Sequence, residues 1–155
     1  METTEDLPPL VQTGYNLCFG CGQENPIGLK LRFHLAKDKS SVCLVTVPEN
    51  FEGPPGCVHG GIIATILDET LHKAVRAQGA VVAVTRTLEI DYRRPVPTMQ
   101  PIRVEAHVTE QDGRKYWAEA CILDCDGKQL ATAKAIFVEI RAGHLKRAEE
   151  NPPSI

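Results

Sequence analysis

One helical pattern followed by a series of strand patterns limits the folds that this chain can adopt. Apolar residues recur with a period of about 3.6 over residues 61–77, and this pattern ends near Gly79. After Gly79 the apolar residues alternate as they do in strands, and the alternation continues to residue 140. One long helix set among antiparallel strands predicts an α+β fold.

Strands are predicted both before and after the helix in the sequence. Residues 28–35 and 41–47 form two strands before it, and a loop rich in Pro and Gly, residues 48–58, leads into it. Later strands are predicted over residues 81–92, from 102 to the Asp112-Gly113 turn, from 116 to the Asp126-Gly127 turn, and over 130–140. The chain therefore reads as one domain over residues 14–140, between a flexible arm at 1–13 and a polar tail at 141–155.

The start of the helix carries the strongest chemical signal. His59-Gly60-Gly61 opens it, and a carboxylate, Asp68, follows about two and a half turns later. The first N–H groups of a helix lack intrahelical partners and lie at the positive end of its dipole. Glycine allows a ligand carbonyl to approach that backbone closely. The pattern predicts an oxyanion-binding helix end with an acid on the same helix, which is the outline of acyl chemistry.

A helical wheel separates two neighbouring acids. Asp68 falls on an apolar stripe with Ala64, Leu71 and Val75. A carboxylate there is costly unless it is partnered or used, although Asp68 could also flank the apolar arc and touch solvent or a neighbouring loop. Glu69 falls on a predicted solvated face with Thr65, Lys73 and Arg76. On that face Glu69 and Lys73 form a favourable i,i+4 pair, so Glu69 is predicted to be a surface residue.

Composition excludes several classes of function. The 155 residues are 43% hydrophobic and 24% charged, which is typical of a soluble globular domain. A net charge of −3 argues against general binding to nucleic acid or to a membrane surface. The acidic start of the chain lacks the features of a signal peptide, and no apolar run reaches the roughly 20 residues needed to span a bilayer. A cytoplasmic location is expected.

Six cysteines leave two interpretations open. Cys18 and Cys21 form a CxxC pair, while Cys121 and Cys125 are four residues apart, on one face of a predicted strand. A CxxC with a second pair could form a zinc or redox site. Reduced thiols that pack in a reducing compartment are the favoured interpretation, so no metal and no cofactor is expected.

Three segments give the chain a specific family resemblance. They are GPPGCVHGG at residues 53–61 with Asp68 nine residues after His59, TRTLEIDYRRP at 85–95, and CFGCGQENPIGLKL at 18–31. With these segments the chain resembles the PaaI-like hotdog-fold thioesterases. The resemblance implies an antiparallel sheet wrapped around a central helix, and a homodimer or a homotetramer built as a dimer of dimers. It also implies an acyl-CoA thioesterase, which hydrolyses its substrate to a carboxylic acid and free CoA.

The resemblance also implies catalytic roles. Asp68 would be the nucleophile or the general base, and Thr85 would hold the attacking water. The Gly60 N–H, with that of Gly61, would bind the thioester carbonyl. His59 would orient this loop or hydrogen-bond the acyl group. In this family the His-Gly-Gly of one subunit faces the Asp and Thr of the other, so the active sites are expected at the subunit interface.

Substrate contacts are less well defined by the sequence. Arg93 and Arg94 could bind the phosphates of coenzyme A, since guanidinium groups match phosphate geometry, or they could be surface charges at a strand end. Some relatives have an Asn six residues before the His, where this chain has Gly53. The acyl group preferred by this chain therefore stays open.

Two alternative functions use the same fold. An acyl-thioester dehydratase or hydratase would pair His59 with Asp68 for proton transfer. A non-catalytic acyl-CoA-binding protein would need the tunnel but not the acid, and Asp68 on an apolar stripe argues against it.

Overall fold

One long helix and six strands make up the fold, in the predicted order along the chain. The computed structural model describes residues 7–10, 17–80 and 82–141. The helix α1 is Gly60–Ala77. The strands are β1 Phe33–Leu35, β2 Ser41–Thr46, β3 Ala83–Tyr92, β4 Pro101–Asp112, β5 Lys115–Leu123 and β6 Gln129–Glu139. A short 3-10 helix, Glu49–Phe51, lies in the loop before α1.

The strands form a single antiparallel sheet in the order β1-β2-β4-β5-β6-β3. Gly113 and Gly127 have φ values of 56° and 77°, so both Asp-Gly steps adopt the left-handed turn conformation that glycine favours. The last strand, β6, pairs with β3, and β3 lies at one edge of the sheet. The predicted α+β fold is confirmed.

The helix α1 lies across one face of this sheet and contacts all six strands. On the helix, Ile66 and Leu71 are completely buried, and they pack in one core with Val104, Ile122 and Phe137 from the three central strands of the sheet. Full burial of a side chain of this size stabilises the fold by roughly 1.5–3 kcal/mol. This packing fixes the rotation of α1, and with it the direction of every polar side chain that the helix carries.

The first strand is shorter than predicted. Residues 28–35 were expected to form one strand, but only Phe33–Leu35 is regular. The Leu29 N–H donates to Phe19 O at 2.9 Å, and the Leu31 N–H donates to Gly20 O at 2.9 Å. Between them Lys30 has a φ of 53°. Residues 29–31 therefore bond to the preceding loop, which holds the CxxC segment near the helix.

The described part of the predicted arm is held against the sheet. The Leu10 N–H donates to Phe33 O at 2.9 Å, and the Leu35 N–H donates to Pro8 O at 3.1 Å. The rest of the arm, Val81 of the predicted third strand and the tail beyond Arg141 lie outside the described residues. Among the helices that the structure describes, none has the length and apolar character needed to cross a membrane.

Candidate active site

The first turn of α1 leaves one backbone N–H available. His59 is the N-cap, and its Nδ1 accepts a hydrogen bond from the Gly61 N–H at 3.0 Å. The Ile62 and Ile63 N–H groups both donate to His59 O, at 2.9 and 3.0 Å. Within the described part of the chain, the Gly60 N–H has no such acceptor. Gly60 is therefore the open donor, whereas the Gly61 N–H is already bonded.

The same hydrogen bond fixes the chemistry of the His59 ring. Because Nδ1 accepts from Gly61, the proton of the neutral imidazole lies on Nε2. His59 is exposed, and Nε2–H remains as a donor on the ring. His59 thus orients the His-Gly-Gly turn, as one of its two predicted roles requires, and retains a donor for a ligand.

Neighbouring elements hold this helix end in place. The Tyr92 hydroxyl, at the end of β3, donates to Gly60 O at 2.9 Å. On the other side, a Cβ added to Gly53 would lie 3.2 Å from His59 Cα. A side chain at Gly53 would therefore press on the N-cap residue, and the two would have to separate by a few tenths of an ångström.

Asp68 lies at the edge of the buried arc of α1 and faces β3. The Thr85 hydroxyl donates to Asp68 Oδ1 at 2.7 Å. Burial raises the pKa of Asp68, the Thr85 hydrogen bond lowers it, and the negative charge of Glu69 raises it further. The net pKa lies above the usual value of 3.8. A half-buried carboxylate of raised basicity is suited to accept a proton from water.

Thr85 therefore bonds directly to the acid. The role predicted for it was to hold the attacking water, and the structure instead shows its hydroxyl proton directed at Asp68. The hydroxyl oxygen keeps lone pairs that can accept a hydrogen bond from water. Thr85 is thus placed to orient the carboxylate, and its contact with water stays a prediction.

The two halves of the candidate site are separated along the helix. Asp68 lies eight positions after Gly60, which corresponds to a distance of about 12 Å along the helix axis. A reacting carbonyl must lie about 3 Å from both the oxyanion donor and the attacking group. Gly60 and Asp68 of one copy are therefore too far apart to act on the same carbonyl.

His72 lies one turn beyond Asp68 and was not singled out from the sequence. Its ring centroid is 5.9 Å from that of Phe137. Burial lowers the pKa of His72 to about 4, with further lowering by the charge of Lys73. The imidazole is therefore neutral near pH 7, and a hydrogen bond to the backbone of Ala83 ties it to the start of β3.

Glu69 and Lys73 are not on a solvated face, and this prediction was wrong. The Lys73 side chain is 2% exposed and that of Glu69 is 15% exposed. The loop over residues 17–22 covers them, because Cys18 Sγ lies 3.3 Å from Glu69 Oε1 and Lys73 Nζ lies 3.4 Å from Cys21 Sγ. The wheel shows which residues share a face, but it does not show that a distant loop returns to cover that face.

The two arginines lie at the opposite end of β3 from Thr85. Arg93 donates to Asp91 Oδ2 at 2.9 Å and to Gln129 Oε1 at 2.7 Å. Arg94 donates to Gln129 O at 2.8 Å. Both side chains are exposed but already bonded, so the structure does not bring them together with Asp68. Binding of coenzyme A phosphates by these residues stays a prediction.

Comparison with known proteins agrees with this architecture. The family description that matches residues 55–131 is Thioesterase superfamily, and the match includes the His-Gly-Gly turn, Asp68 and Thr85. The chain belongs to the thioesterase superfamily. A crystallised thioesterase superfamily protein is 30% identical, with a TM-score of 0.72 over 78% of this chain and 62% of its own.

Other relatives of this thioesterase superfamily chain carry more specific names. Acyl-coenzyme A thioesterase THEM4 from Rattus norvegicus is 36% identical over 109 residues, which cover 70% of this chain and 46% of that protein. The chain thus spans about half the length of this curated relative. The E. coli PaaI protein from the phenylacetic acid degradation operon is 20% identical, with a TM-score of 0.67 over 73% of this chain and 81% of its own, which supports the predicted hotdog fold.

Tyr92 is a further residue of the site whose role the sequence did not reveal. It was recognised only as part of the TRTLEIDYRRP segment, and the structure shows that its hydroxyl closes β3 onto Gly60 O. The signal was its position seven residues after Thr85. Because β3 carries Thr85 near its start and Tyr92 at its end, the strand spans the helix from Asp68 back to the N-cap.

Proposed function

We propose that this chain hydrolyses acyl-CoA thioesters to a carboxylic acid and free coenzyme A. The observation that carries the proposal is the half-buried Asp68 carboxylate, to which Thr85 of β3 donates at 2.7 Å. Asp68 lies on the helix α1, whose first N–H, at Gly60, is open. A base and an oxyanion donor are sufficient for thioesters, since a thiolate leaves readily. The name of the THEM4 relative supports the choice of acyl-CoA as substrate.

In the proposed mechanism the thioester carbonyl oxygen accepts a hydrogen bond from the Gly60 N–H. Asp68 of a second copy removes a proton from water while the water oxygen attacks the carbonyl carbon. Negative charge develops on the carbonyl oxygen, where the helix dipole and the Gly60 N–H stabilise it. Collapse of the tetrahedral intermediate breaks the C–S bond, and the proton held by Asp68 passes to the departing thiolate.

We propose a homodimer, or a dimer of dimers, as the active species. The separation of about 12 Å between Gly60 and Asp68 along one helix requires a second copy. In addition, β3 is an edge strand that carries Thr85, and its Val84 and Tyr92 are 42% and 51% exposed. Both halves of the site therefore lie beside the same open edge, where a second chain could add its own half.

The test is thiol release, followed with a chromogenic thiol reagent, from short aliphatic, long aliphatic and aryl acyl-CoAs. We expect turnover by the wild type and a decrease in kcat of roughly 10²–10⁴-fold in Asp68→Asn, because general base catalysis contributes about that much. The matched control is Asp126→Asn, which makes the same change at an exposed turn.

Three results would contradict the proposal or its mechanism. Binding of acyl-CoA without turnover of any thioester by the wild type would favour a binding protein. Hydration of crotonyl-CoA that is faster than thiol release would favour a hydratase. Equal activity of Asp68→Asn and the wild type, with both folded and dimeric, would remove Asp68 from the mechanism.

A further inference from the structure

The CxxC loop and helix α1 bring a second group of reactive side chains together, on the far side of the helix from Thr85. Cys18 Sγ lies 3.3 Å from Glu69 Oε1. The ligand atoms of Cys18, Cys21 and Glu69 all lie within 4.8 Å of one another. In a tetrahedral zinc site, bonds of about 2.0–2.3 Å place neighbouring ligand atoms about 3.5 Å apart. The three side chains therefore need only small rotations to meet at one ion.

We propose that Cys18, Cys21 and Glu69 form a binding site for a soft divalent cation, with zinc as the ion that the donor set fits best. Two thiolates and one carboxylate are ligands that zinc accepts in proteins. Three protein ligands leave one tetrahedral position for a water molecule. The ion would clamp the loop over residues 17–22 to α1, at the residue next to Asp68.

The backbone of the loop is shaped to present sulfur ligands. The Gly22 N–H donates to Cys18 O at 2.8 Å, which closes a turn with both cysteine side chains on the helix side. The turn therefore holds both sulfur atoms within reach of Glu69 before any ion arrives.

Gly20 allows the carboxylate to reach the sulfur atoms. A Cβ added to Gly20 would lie 2.3 Å from Glu69 Cγ and 2.7 Å from Glu69 Cδ, so the loop or the Glu69 side chain would have to shift. The Glu69 side chain thus occupies the space that any other residue at position 20 would fill. The loop and the acid are fitted to each other, which would not be needed for a surface glutamate.

The two oxygens of Glu69 face different partners. Oε1 points at Cys18, whereas Oε2 lies 3.6 Å from Lys73 Nζ and is buried without a hydrogen bond in the described structure. Lys73 Nζ also lies 3.4 Å from Cys21 Sγ. Lys73 is therefore an outer donor to two of the proposed ligands, a position that orients ligands in metal sites.

A divalent ion bound by two thiolates would leave the site neutral, as the Glu69–Lys73 ion pair does when both thiols are protonated. Two thiolates and the carboxylate carry three negative charges, and the Lys73 ammonium offsets one of them. A divalent cation offsets the other two, so the buried group as a whole becomes neutral, which avoids the large cost of a buried net charge. A disulfide would use the two sulfurs but give the carboxylate no new partner, so the donor set favours a metal.

The experiment is a metal titration of the untagged full chain, reduced with a phosphine and stripped with a chelator. Zinc is added in competition with a chromogenic chelator, and cobalt(II) is added in parallel as a spectroscopic probe. We expect one ion per chain, sulfur-to-cobalt charge-transfer bands and the d–d bands of a tetrahedral site. Zinc should also raise the melting temperature, because the ion binds the folded state.

Variants assign the ligands. Cys18→Ser and Cys21→Ser should each weaken zinc binding by more than about 100-fold, beyond the 10–100-fold typical of outer-shell changes such as Lys73→Met. Glu69→Gln should weaken binding while keeping the sulfur-to-cobalt bands. Cys125→Ser, at an exposed thiol, is the matched control and should bind as the wild type does.

Three results would overturn the proposal. The first is no binding of zinc or cobalt by the folded wild type, which needs no variant to fold. The second is a cobalt spectrum without sulfur bands, or unchanged binding in both cysteine variants. The third is a reduced protein that binds no metal but loses two thiols and two hydrogen masses on mild oxidation, which would make the pair a redox disulfide.

Discussion

The two long borders of helix α1 carry the same arrangement of residues with opposite chemistry. On one border Asp68 bonds to Thr85, and His72, one turn later, bonds to the backbone of Ala83. On the other border Glu69 contacts Cys18, and Lys73, one turn later, contacts Cys21. Each border is thus an i,i+4 pair whose carboxylate is covered by a neighbouring segment. The border of Asp68 and His72, covered by β3, is called the β3 border. The border of Glu69 and Lys73, covered by the CxxC loop, is called the loop border.

The difference lies in the charge available to each carboxylate. Asp68 bonds to the neutral Thr85 hydroxyl, and burial raises its pKa, so the acid can take up a proton. Glu69 has an ammonium within 3.6 Å and two sulfur ligands beside it. The first border is suited to proton transfer and the second to holding a cation, although the two acids are adjacent in sequence.

The largest expected effect comes from dividing the proposed site between two chains. Gly60→Pro removes the open N–H at the first helical position, where proline is well tolerated, and should lower kcat by about 10²–10³-fold. Co-expression of this variant with Asp68→Asn, followed by tandem affinity purification of mixed dimers, should restore about half of the wild-type activity, because one of the two sites is intact.

Mixed dimers of Asp68→Asn with Asp68→Ala are the control and should stay inactive. An inactive mixed dimer of the first kind, with both chains present in equal amounts, would place Gly60 and Asp68 of one chain in the same site. Activity of Gly60→Pro close to that of Gly60→Ala, which keeps the N–H, would show that the open donor is not used.

A smaller effect, on stability rather than on activity, is expected from the neutral imidazole of His72 on the β3 border. The pKa of His72 is about 4 in the folded state against 6.5 for an unperturbed histidine, so the unfolded chain binds a proton that the folded chain does not. The free energy of unfolding should therefore decrease as the pH falls from about 6.5 to about 4, by up to roughly 3 kcal/mol, and not further below.

Urea denaturation of the wild type and His72→Gln at a series of pH values measures this contribution. The comparison is needed because Asp68, whose pKa is raised, acts with the opposite sign and stabilises the fold as it takes up a proton. The expected difference is a weaker loss of stability on acidification in His72→Gln. Parallel stability curves for the two proteins would show that His72 is not held neutral.

The β3 border was predictable from the sequence because its signals are local. Hydrophobic periodicity gave the helix and the strands, and the spacing of His59, Asp68 and Thr85 led to the correct superfamily. The two Asp-Gly steps marked the turns at Gly113 and Gly127. Only the structure reduced the candidate oxyanion donors from two N–H groups to that of Gly60, because the Gly61 bond to His59 Nδ1 depends on the orientation of the ring at the N-cap.

The loop border was not predictable, because its contacts join residues about 50 positions apart in sequence. Helical spacing places Glu69 and Lys73 on one face, and only the path of residues 17–31 decides that this face is covered. The same path shortened the predicted first strand, since the N–H groups of Leu29 and Leu31 bond to the CxxC loop. The cytoplasmic location stays a prediction.

The smallest expected effect tests whether the Thr85 hydroxyl sets the pKa of Asp68 or whether Thr85 only packs beside it. Thr85→Val keeps the shape but removes the hydroxyl that favours ionised Asp68, so the pKa of Asp68 should rise and the acid limb of kcat/KM should move to higher pH. At the optimum, kcat should fall by about 10-fold, which is less than the 10²–10⁴-fold of general base catalysis because Asp68 itself is kept. Thr85→Ser should restore both values, and Thr87→Val on the same strand should change neither.

An unchanged acid limb, or one that moves to lower pH, would show that the 2.7 Å contact between Thr85 and Asp68 does not control the ionisation of Asp68. The β3 border would then differ from the loop border in burial alone, and not in how its partner sets the charge of the acid.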